Sequence, residues 1–297
     1  MSKLIVVLGA TGGQGGSVID TFLKLEGWGV RGLTRNAQSE KAKALVAKGV
    51  EVVEANSDDQ PSLEKAFQGA TVIFAFTNYY DFFYDVGPEE SIARETQQGS
   101  NLARAAATIP TLERYIWSTL PNTAAITQGK SIVPHFQGKA NVDVYIKETL
   151  PQLCEKTTFA IYTIFAANLN LYQIFKPIYL APAPGTYVYC NVEDLTLGSF
   201  LAAWGRASSI SPEPYSIKVI QISIEQYVEL WGNMGEEQAS QWRFFAYLKA
   251  AQINPYTAQG LEIIQGKDLL SDELKGQLVP AEEGLRALDW SGYEVPV

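Results

Sequence analysis

The chain has 297 residues, of which 46% are hydrophobic and 19% are charged. That composition can bury a sizeable core, which excludes a largely disordered chain. The formal net charge is −9, from 23 Lys and Arg against 32 Asp and Glu. This balance disfavours direct nucleic-acid binding and docking on anionic membranes, because both need clustered cations.

Cysteine content and apolar runs bear on the compartment. Cys154 and Cys190 are the only cysteines, too few for a disulfide framework or a thiolate zinc site, so we predict no metal site and expect a reducing compartment. The first apolar run, residues 4–8, is too short for the core of a signal peptide. No run reaches the roughly 18 apolar residues of a membrane span. We therefore expect a cytoplasmic protein without a membrane partner.

Strand and helix patterns alternate regularly in the first half of the chain. Apolar runs predict strands at residues 4–8, 29–33, 50–54, 71–76 and 115–118, and helical patterns occupy residues 17–25, 39–49, 61–69 and 88–107. This alternation is typical of βαβ units with right-handed crossovers. We predict an α/β fold of the Rossmann type, a doubly wound parallel sheet whose ligand site lies at the carboxyl ends of the strands.

The pattern becomes less regular after about residue 150. We predict a strand at 158–165, a helix that opens at 192–195 and runs to Trp204, a strand at 219–224, and helices at 225–231 and 239–250. Residues 1–150 should form the nucleotide-binding domain, with later strands returning to it from about 157–165 and 186–192. A smaller α/β substrate-binding lobe should take up most of residues 166–297.

A glycine-rich turn follows the first strand and opens the first helix. Its G-x-x-G-x-x-G spacing is typical of a turn that binds the pyrophosphate of a dinucleotide in this context. Glycine lets the backbone approach the phosphates, and the free N–H groups and the dipole at the helix start favour negative charge. The turn predicts cofactor-binding roles for Gly9, Thr11, Gly12, Gly13, Gln14 and Gly15.

The residues after the second strand indicate which dinucleotide is bound. The strand ends in Thr34-Arg35-Asn36 and lacks the acidic residue that would select NAD through the ribose 2′-hydroxyl. The planar guanidinium of Arg35 can instead pair with a 2′-phosphate, so NADP(H) is the predicted cofactor. The alternative is a solvated loop arginine. Asp58, after the third strand, could reach the adenine or remain a solvated carboxylate.

Four short segments carry a family resemblance: GATGGQGG at 9–16, LTRN at 33–36, FTNYY at 76–80 and HFQGK at 135–139. Together they resemble the NmrA-like branch of the atypical short-chain dehydrogenases/reductases, most strongly over residues 1–150. The resemblance implies cofactor contacts from Thr77, Asn78, Phe165 and Asn168. It also implies two kinds of relative: regulators that bind NADP without turnover, and reductases of the isoflavone-reductase type, which keep a catalytic lysine.

The segment at 135–139 matches the place where ordinary short-chain reductases have a Tyr-x-x-x-Lys pair. By this resemblance, Lys139 holds the nicotinamide ribose and polarises a substrate oxygen. His135, the only histidine, takes the place of the tyrosine, and is either an acid/base group or a structural hydrogen-bonding residue. We interpret the literal Tyr172-x-x-x-Lys176 pair, which follows the sixth predicted strand, as chance.

Hydroxyl and aromatic side chains follow the fourth and fifth strands. Ser118 and Thr119 end the fifth strand, where either could contact substrate or simply satisfy the strand end. Five of the six residues at 79–84 are aromatic, which suits the mouth of a pocket for a large, flat, hydrophobic molecule. We predict pocket roles for Tyr79, Tyr80, Phe83 and Thr119, and catalytic roles for Lys139, His135, Ser118 and Tyr79.

Two functions remain open from the sequence. The first is an NADP(H)-dependent oxidoreductase that acts on a bulky aromatic or heterocyclic small molecule in specialised metabolism, in one variant coupling the redox step to ring formation. The second is a non-catalytic NADP(H) sensor that regulates through protein partners. Lys139 and the aromatic cluster favour the enzyme, whereas the missing tyrosine of the Tyr-x-x-x-Lys pair favours the sensor.

Overall fold

The computed structural model describes residues 3–162, 185–209, 220–254 and 261–291. The described strands are β1 Lys3–Val7, β2 Trp28–Thr34, β3 Glu51–Glu54, β4 Val72–Ala75, β5 Arg114–Thr119, β6 Thr157–Tyr162, β7 Tyr187–Cys190 and β8 Ile263–Gln265. They form one sheet in the order β3-β2-β1-β4-β5-β6-β7-β8. Every neighbouring pair is parallel, so the predicted Rossmann-type α/β fold is confirmed.

Helices connect the strands and cover both faces of the sheet. Their bounds are α1 Gly13–Phe22, α2 Glu40–Ala47, α3 Gln60–Phe67, α4 Tyr80–Ala107, α5 Thr123–Thr127, α6 Pro134–Thr149, α7 Pro151–Cys154, α8 Leu197–Ser208, α9 Ile224–Ala251, α10 Asp272–Lys275 and α11 Ala281–Arg286, with a 3₁₀ helix at Gly266–Leu269. Within the described ranges, none of these helices has both the length and the apolar character needed to cross a bilayer.

The central strand β1 shows why the apolar runs are continuous. Ile5 and Val7 belong to a core cluster with Ile19 of α1, whereas Val6 belongs to the cluster on the opposite face with Phe67 of α3. All five side chains are fully buried. A parallel strand that is covered by helices on both faces needs apolar side chains on both, rather than an alternating pattern.

The direction in which strands are added reverses between β1 and β4. The chain builds outward from β1 through β2 to β3, then returns to the other side of β1 and continues through β4 to β8. The connections after β1 and β4 diverge at this point, which leaves a crevice at the carboxyl ends of these two strands. The glycine turn opens into this crevice.

Two helices differ in part from their predictions. The part of α4 that follows its break at Gly87 matches the helix predicted at 88–107, but the prediction missed the helical turns that begin at Tyr80; the φ of 75° at Gly87 is one that only glycine adopts easily. The proline that follows disfavours a helical conformation at residue 87, which explains the break. The helix predicted from 192–195 begins at Leu197, because the Thr196 side chain accepts a hydrogen bond from the Ser199 amide and caps it there.

The strand assignments of the second half also differ from prediction. The strand predicted at 219–224 is wrong over its described part: residues 220–223 are irregular and α9 begins at Ile224. Ser223 and Gln226 form a capping box there, and this local signal outweighs the short alternating run. The prediction missed β8, a strand of three residues that pairs with β7 at the edge of the sheet.

A buried polar network fastens α6 to the sheet. Asp143 accepts hydrogen bonds from Trp117 Nε1 at 2.9 Å, Thr119 Oγ1 at 2.7 Å and Tyr187 Oη at 2.9 Å. Lys147 donates in turn to the Tyr187 hydroxyl at 3.0 Å. Burial raises the pKa of Asp143 to about 7, against the lowering effect of these donors and of Lys147. The contact between α6 and the sheet therefore depends on the protonation state of Asp143.

This raised pKa makes stability depend on pH. The folded protein binds the Asp143 proton more tightly than the unfolded chain, so this residue's contribution is fully present below pH 4 and is lost as pH rises toward 7. We expect Asp143 to lower the free energy of unfolding by up to about 1.4 kcal/mol per pH unit across that window. Urea unfolding of wild type and Asp143→Asn from pH 4.5 to 8 tests this, since the variant should lose that component. Equal slopes for the two proteins would contradict it.

Candidate functional site

A cleft of about 330 Å³ opens at the carboxyl ends of β1, β2, β3 and β4. Its walls come from the glycine turn, from the residues that follow each of these strands, and from the first turn of α4. Seven of the predicted cofactor-binding residues line it: Gly9, Thr11, Gly12, Arg35, Asp58, Thr77 and Asn78. The cleft therefore lies where the fold predicts a nucleotide.

The glycine turn has the geometry that a pyrophosphate needs. Gly9 has a left-handed φ of 57°, and a Cβ on Gly15 would come within 2.5 Å of the Leu8 carbonyl oxygen and closer still to that of Gly9. Gly12 is the N-cap of α1 without any side-chain hydrogen bond in the described structure, and a Cβ on Gly13 would meet nothing within 4 Å. The first turn of α1 thus presents backbone N–H groups to open space, which fits a dinucleotide.

Gln14 connects the glycine turn to the end of β5. Its Nε2 donates to Ser118 Oγ at 3.0 Å. Ser118 and Thr119 lie on opposite faces of β5, because side chains alternate along a strand. Thr119 is 1% exposed and donates to Asp143 on the α6 face. The structure thus places Ser118 beside the glycine turn and Thr119, predicted as a pocket residue, in the packing of α6.

Arg35 forms an ion pair across the cleft. Its Nη1 lies 2.9 Å from Asp81 Oδ2, and the guanidinium side chain is 77% exposed. Asn78 Nδ2 donates to the other oxygen of Asp81 at 2.6 Å. The pair joins the end of β2 to the first turn of α4. Further along the wall, Gln98 Nε2 donates to Asp58 Oδ1 at 2.9 Å.

Lys139 is held by a buried carboxylate that the sequence analysis missed. Its Nζ forms an ion pair with Glu95 Oε1, and Thr77 Oγ1 donates to the same oxygen at 2.9 Å. Glu95 is fully buried on α4, whereas the Lys139 side chain is 13% exposed. A Cβ on Gly138 would collide with the Glu95 carboxylate, so glycine at this position lets α4 and α6 approach. The arrangement orients the Lys139 ammonium at the end of β4.

Glu237 of α9 is a second buried carboxylate that binds predicted catalytic residues. It accepts from Tyr79 Oη at 3.1 Å and from the backbone N–H of His135 at 3.2 Å, and its Oε1 lies 2.6 Å from His135 Nδ1. The other ring nitrogen of His135 is 3.2 Å from Gln241 Oε1. Both ring nitrogens are therefore engaged, and His135 ties α6 to α9. Burial, with Glu237 nearby, raises the pKa of Tyr79 and keeps its hydroxyl protonated.

The aromatic residues at 79–84 form the N-cap and the first turn of α4. Tyr79 and Phe83 are 1% and 4% exposed, with ring centroids 5.6 Å apart. Tyr80 is half-buried, with its ring 5.9 Å from that of His135, and its hydroxyl accepts from Gln238 of α9 at 3.1 Å. Burial raises the pKa of Tyr80 to about 12. Tyr79 and Tyr80 therefore contact α9, whereas Tyr84 is 72% exposed. The cleft is lined by Phe82 and not by Tyr79, Tyr80 or Phe83, which were predicted as pocket residues.

Some predictions fall outside what the structure describes, and some residues were missed. Phe165 and Asn168, predicted to contact the cofactor, lie outside the described residues, as does Tyr172-x-x-x-Lys176. Glu95 had a usable signal: it falls on the buried face of α4, one turn from Ser91 and one from Gly99, where an unpaired acid is costly. Among the described residues, no three His, Cys, Asp or Glu side chains gather as a metal site would require.

Comparison with known sequences identifies a family. The family model described as the NmrA-like family matches residues 1–188. The chain is 34% identical over 148 residues to an NmrA-like family domain-containing oxidoreductase of Aspergillus campestris, a match that covers 49% of this chain and 42% of the relative. It is 31% identical over 209 residues to another of Aspergillus versicolor, covering 68% of this chain and 54% of the relative. The chain thus spans about half the length of the curated relatives it matches.

Comparison with solved structures finds the same fold. The crystal structure of NmrA, a negative transcriptional regulator, superposes with a TM-score of 0.65 at 18% identity and covers 98% of this chain and 99% of its own. A triphenylmethane reductase of Citrobacter sp. gives 0.62 at 20% identity, with coverages of 96% and 98%. These identities establish a shared fold and no more. The match to the family model over residues 1–188 shows the family: this chain belongs to the NmrA-like family.

Proposed function

We propose that the protein is an NADP(H)-dependent oxidoreductase of the cytoplasm. The observation that carries the proposal is one cleft lined by an uncapped helix start, Arg35 and Asn78. Thr77, on the wall of this cleft, donates to the same Glu95 oxygen that pairs with the Lys139 ammonium. The curated relatives are named oxidoreductases. NmrA has been solved in complex with NAD and with NADP, and the Citrobacter reductase with NADP(H). A nicotinamide dinucleotide fits the residues present here.

Each part of the site has a role in this proposal. The backbone N–H groups of the glycine turn bind the pyrophosphate, and Arg35 pairs with the 2′-phosphate. When bound, the cofactor supplies or accepts a hydride. Lys139 binds the nicotinamide ribose and polarises the substrate oxygen or nitrogen, and Glu95 fixes the position of its ammonium. Gln14 and Ser118 close the site toward β5.

The substrate we propose is a bulky aromatic or heterocyclic molecule with a C=O, C=N or C=C bond. Support comes from Phe76 and Phe82, which line the cleft. Aromatic faces at a cleft edge favour flat apolar ligands. We place the reaction in specialised metabolism and include the variant in which the redox step is followed by ring closure. In the direction of reduction, the substrate gains one hydride and one proton.

A second candidate function is supported by the engagement of His135. A residue whose two ring nitrogens both contact α9 is suited to holding the structure together. In that case the protein binds NADP(H) without turnover, and binding alters contacts with a protein partner. NmrA, the structural neighbour, is described as a negative transcriptional regulator.

One experiment separates the two candidates. The purified protein is mixed with NADPH and a panel of polycyclic imines and ketones, with the nicotinamide absorbance followed and the products analysed by mass spectrometry. Calorimetry measures NADPH affinity in parallel. We expect loss of the NADPH band with at least one compound, together with a product heavier by two hydrogens. Tight binding without any turnover would favour the sensor, and absence of binding would overturn both.

A further inference from the structure

The Arg35–Asp81 ion pair brings two opposite charges to one place on the cleft wall. Asp81 is not adjacent to Arg35 in sequence: the two lie 46 positions apart and meet because α4 begins beside the end of β2. Both side chains line the cleft. Asn78 donates to the second oxygen of Asp81 and fixes the carboxylate against the guanidinium.

The two charged side chains suit different groups at the 2′ position of the adenosine ribose. A 2′-phosphate is an anion that an arginine fork binds, whereas a free 2′-hydroxyl donates to a carboxylate. In many Rossmann folds that carboxylate stands at the end of β2, which here reads Thr34-Arg35-Asn36. The fold supplies a carboxylate at this position from α4 instead. Other acids are nearby, since Asp58 lines the cleft and Glu54 accepts from the Ala37 amide at 3.3 Å, but Asp81 is the one that contacts Arg35.

We propose that Asp81 is a specificity-determining residue that lets this site bind both dinucleotides. Its carboxylate accepts a hydrogen bond from the 2′-hydroxyl of NAD(H) and opposes the 2′-phosphate of NADP(H). The inference rests on the proposed function, because it requires a nicotinamide dinucleotide in this cleft. To pair with Arg35, the 2′-phosphate of NADP(H) must compete with the Asp81 carboxylate that already contacts Nη1. The phosphate must also lie close to the negative charge of Asp81, which repels it. Asp81 thereby limits the preference that Arg35 alone would give.

Calorimetric titrations with NADPH and NADH, with no substrate present, test the proposal. For Asp81→Asn we expect the Kd for NADPH to fall about tenfold, because a like charge is removed at short range. The Kd for NADH should rise about fivefold, because a hydrogen bond to a charged acceptor is weakened. For Arg35→Ala we expect the opposite pattern: a rise of at least about tenfold for NADPH and a change of less than about twofold for NADH.

Glu148→Gln is the matched control. It removes one negative charge from the exposed carboxyl-terminal end of α6. That end of the helix lies on the side of the sheet where the strands begin, whereas the cleft lies where they end. Both Kd values should remain at wild-type level. If Asp81→Asn leaves the ratio of the two Kd values unchanged while the wild type binds dinucleotide, the inference about Asp81 is overturned and the proposed function stands. If the wild type binds neither dinucleotide, both are overturned.

Discussion

Replacing Lys139 with alanine should lower turnover of an active panel compound by about 100-fold or more, the scale of a lost general acid–base or polarising group. The ammonium is paired with Glu95, and the same carboxylate oxygen accepts a hydrogen bond from Thr77, which lines the cleft. Loss of the ammonium should lower kcat more than it raises KM, since its stabilisation grows as charge develops on the substrate. Steady-state kinetics at several NADPH concentrations make the measurement. An unchanged kcat would remove Lys139 from the mechanism.

The same substitution should also destabilise the protein. Glu95 is fully buried, and removing its cation leaves a carboxylate with Thr77 as its remaining donor, at a cost on the order of 3 kcal/mol in free energy of unfolding. The double variant Lys139→Ala/Glu95→Gln removes that charge as well. We expect it to recover much of the stability while remaining inactive, which separates the chemical role from folding. Lys65→Ala, which removes an exposed cation from α3, should affect neither property.

Replacing Gly15 with alanine should raise the Kd for NADPH by about 100-fold, the equivalent of one to two charge-assisted hydrogen bonds. The added Cβ would meet the carbonyl oxygens of Leu8 and Gly9. These are backbone atoms of the turn and cannot rotate away, so the start of α1 must move. The N–H groups that we propose bind the pyrophosphate then lose their alignment, and overpacking lowers the free energy of unfolding by roughly 1–3 kcal/mol.

The adjacent glycine supplies the control for this prediction. A Cβ on Gly16 would lie 3.8 Å from its nearest neighbour, the carbonyl oxygen of Ala10, which is ordinary contact. Gly16→Ala should leave NADPH affinity unchanged and stabilise the helix by up to about 1 kcal/mol, because alanine favours a helix over glycine. Calorimetry and urea unfolding of both variants give the comparison. Equal behaviour of the two alanine variants would contradict the packing argument.

The sequence by itself determined the fold and the nucleotide cleft. Continuous apolar runs indicate strands that are covered on both faces, and the glycine spacing indicates a helix start that approaches a strand, since both signals depend on residues close together in the chain. Two features of the second half, β8 and the start of α9, were not predicted. β8 is three residues long and carries no periodicity, and a capping box set the start of α9.

Only the tertiary structure decided the partners of the predicted site residues. Lys139 meets Glu95 across 44 positions, Arg35 meets Asp81 across 46, and His135 meets Glu237 across 102. None of these pairs has a sequence signature, because each joins two elements that are far apart in the chain and meet only in the fold. The aromatic residues at 79–84 could be found in the sequence, but the contacts of Tyr79 and Tyr80 with α9 could not, since they depend on which distant element covers the start of α4.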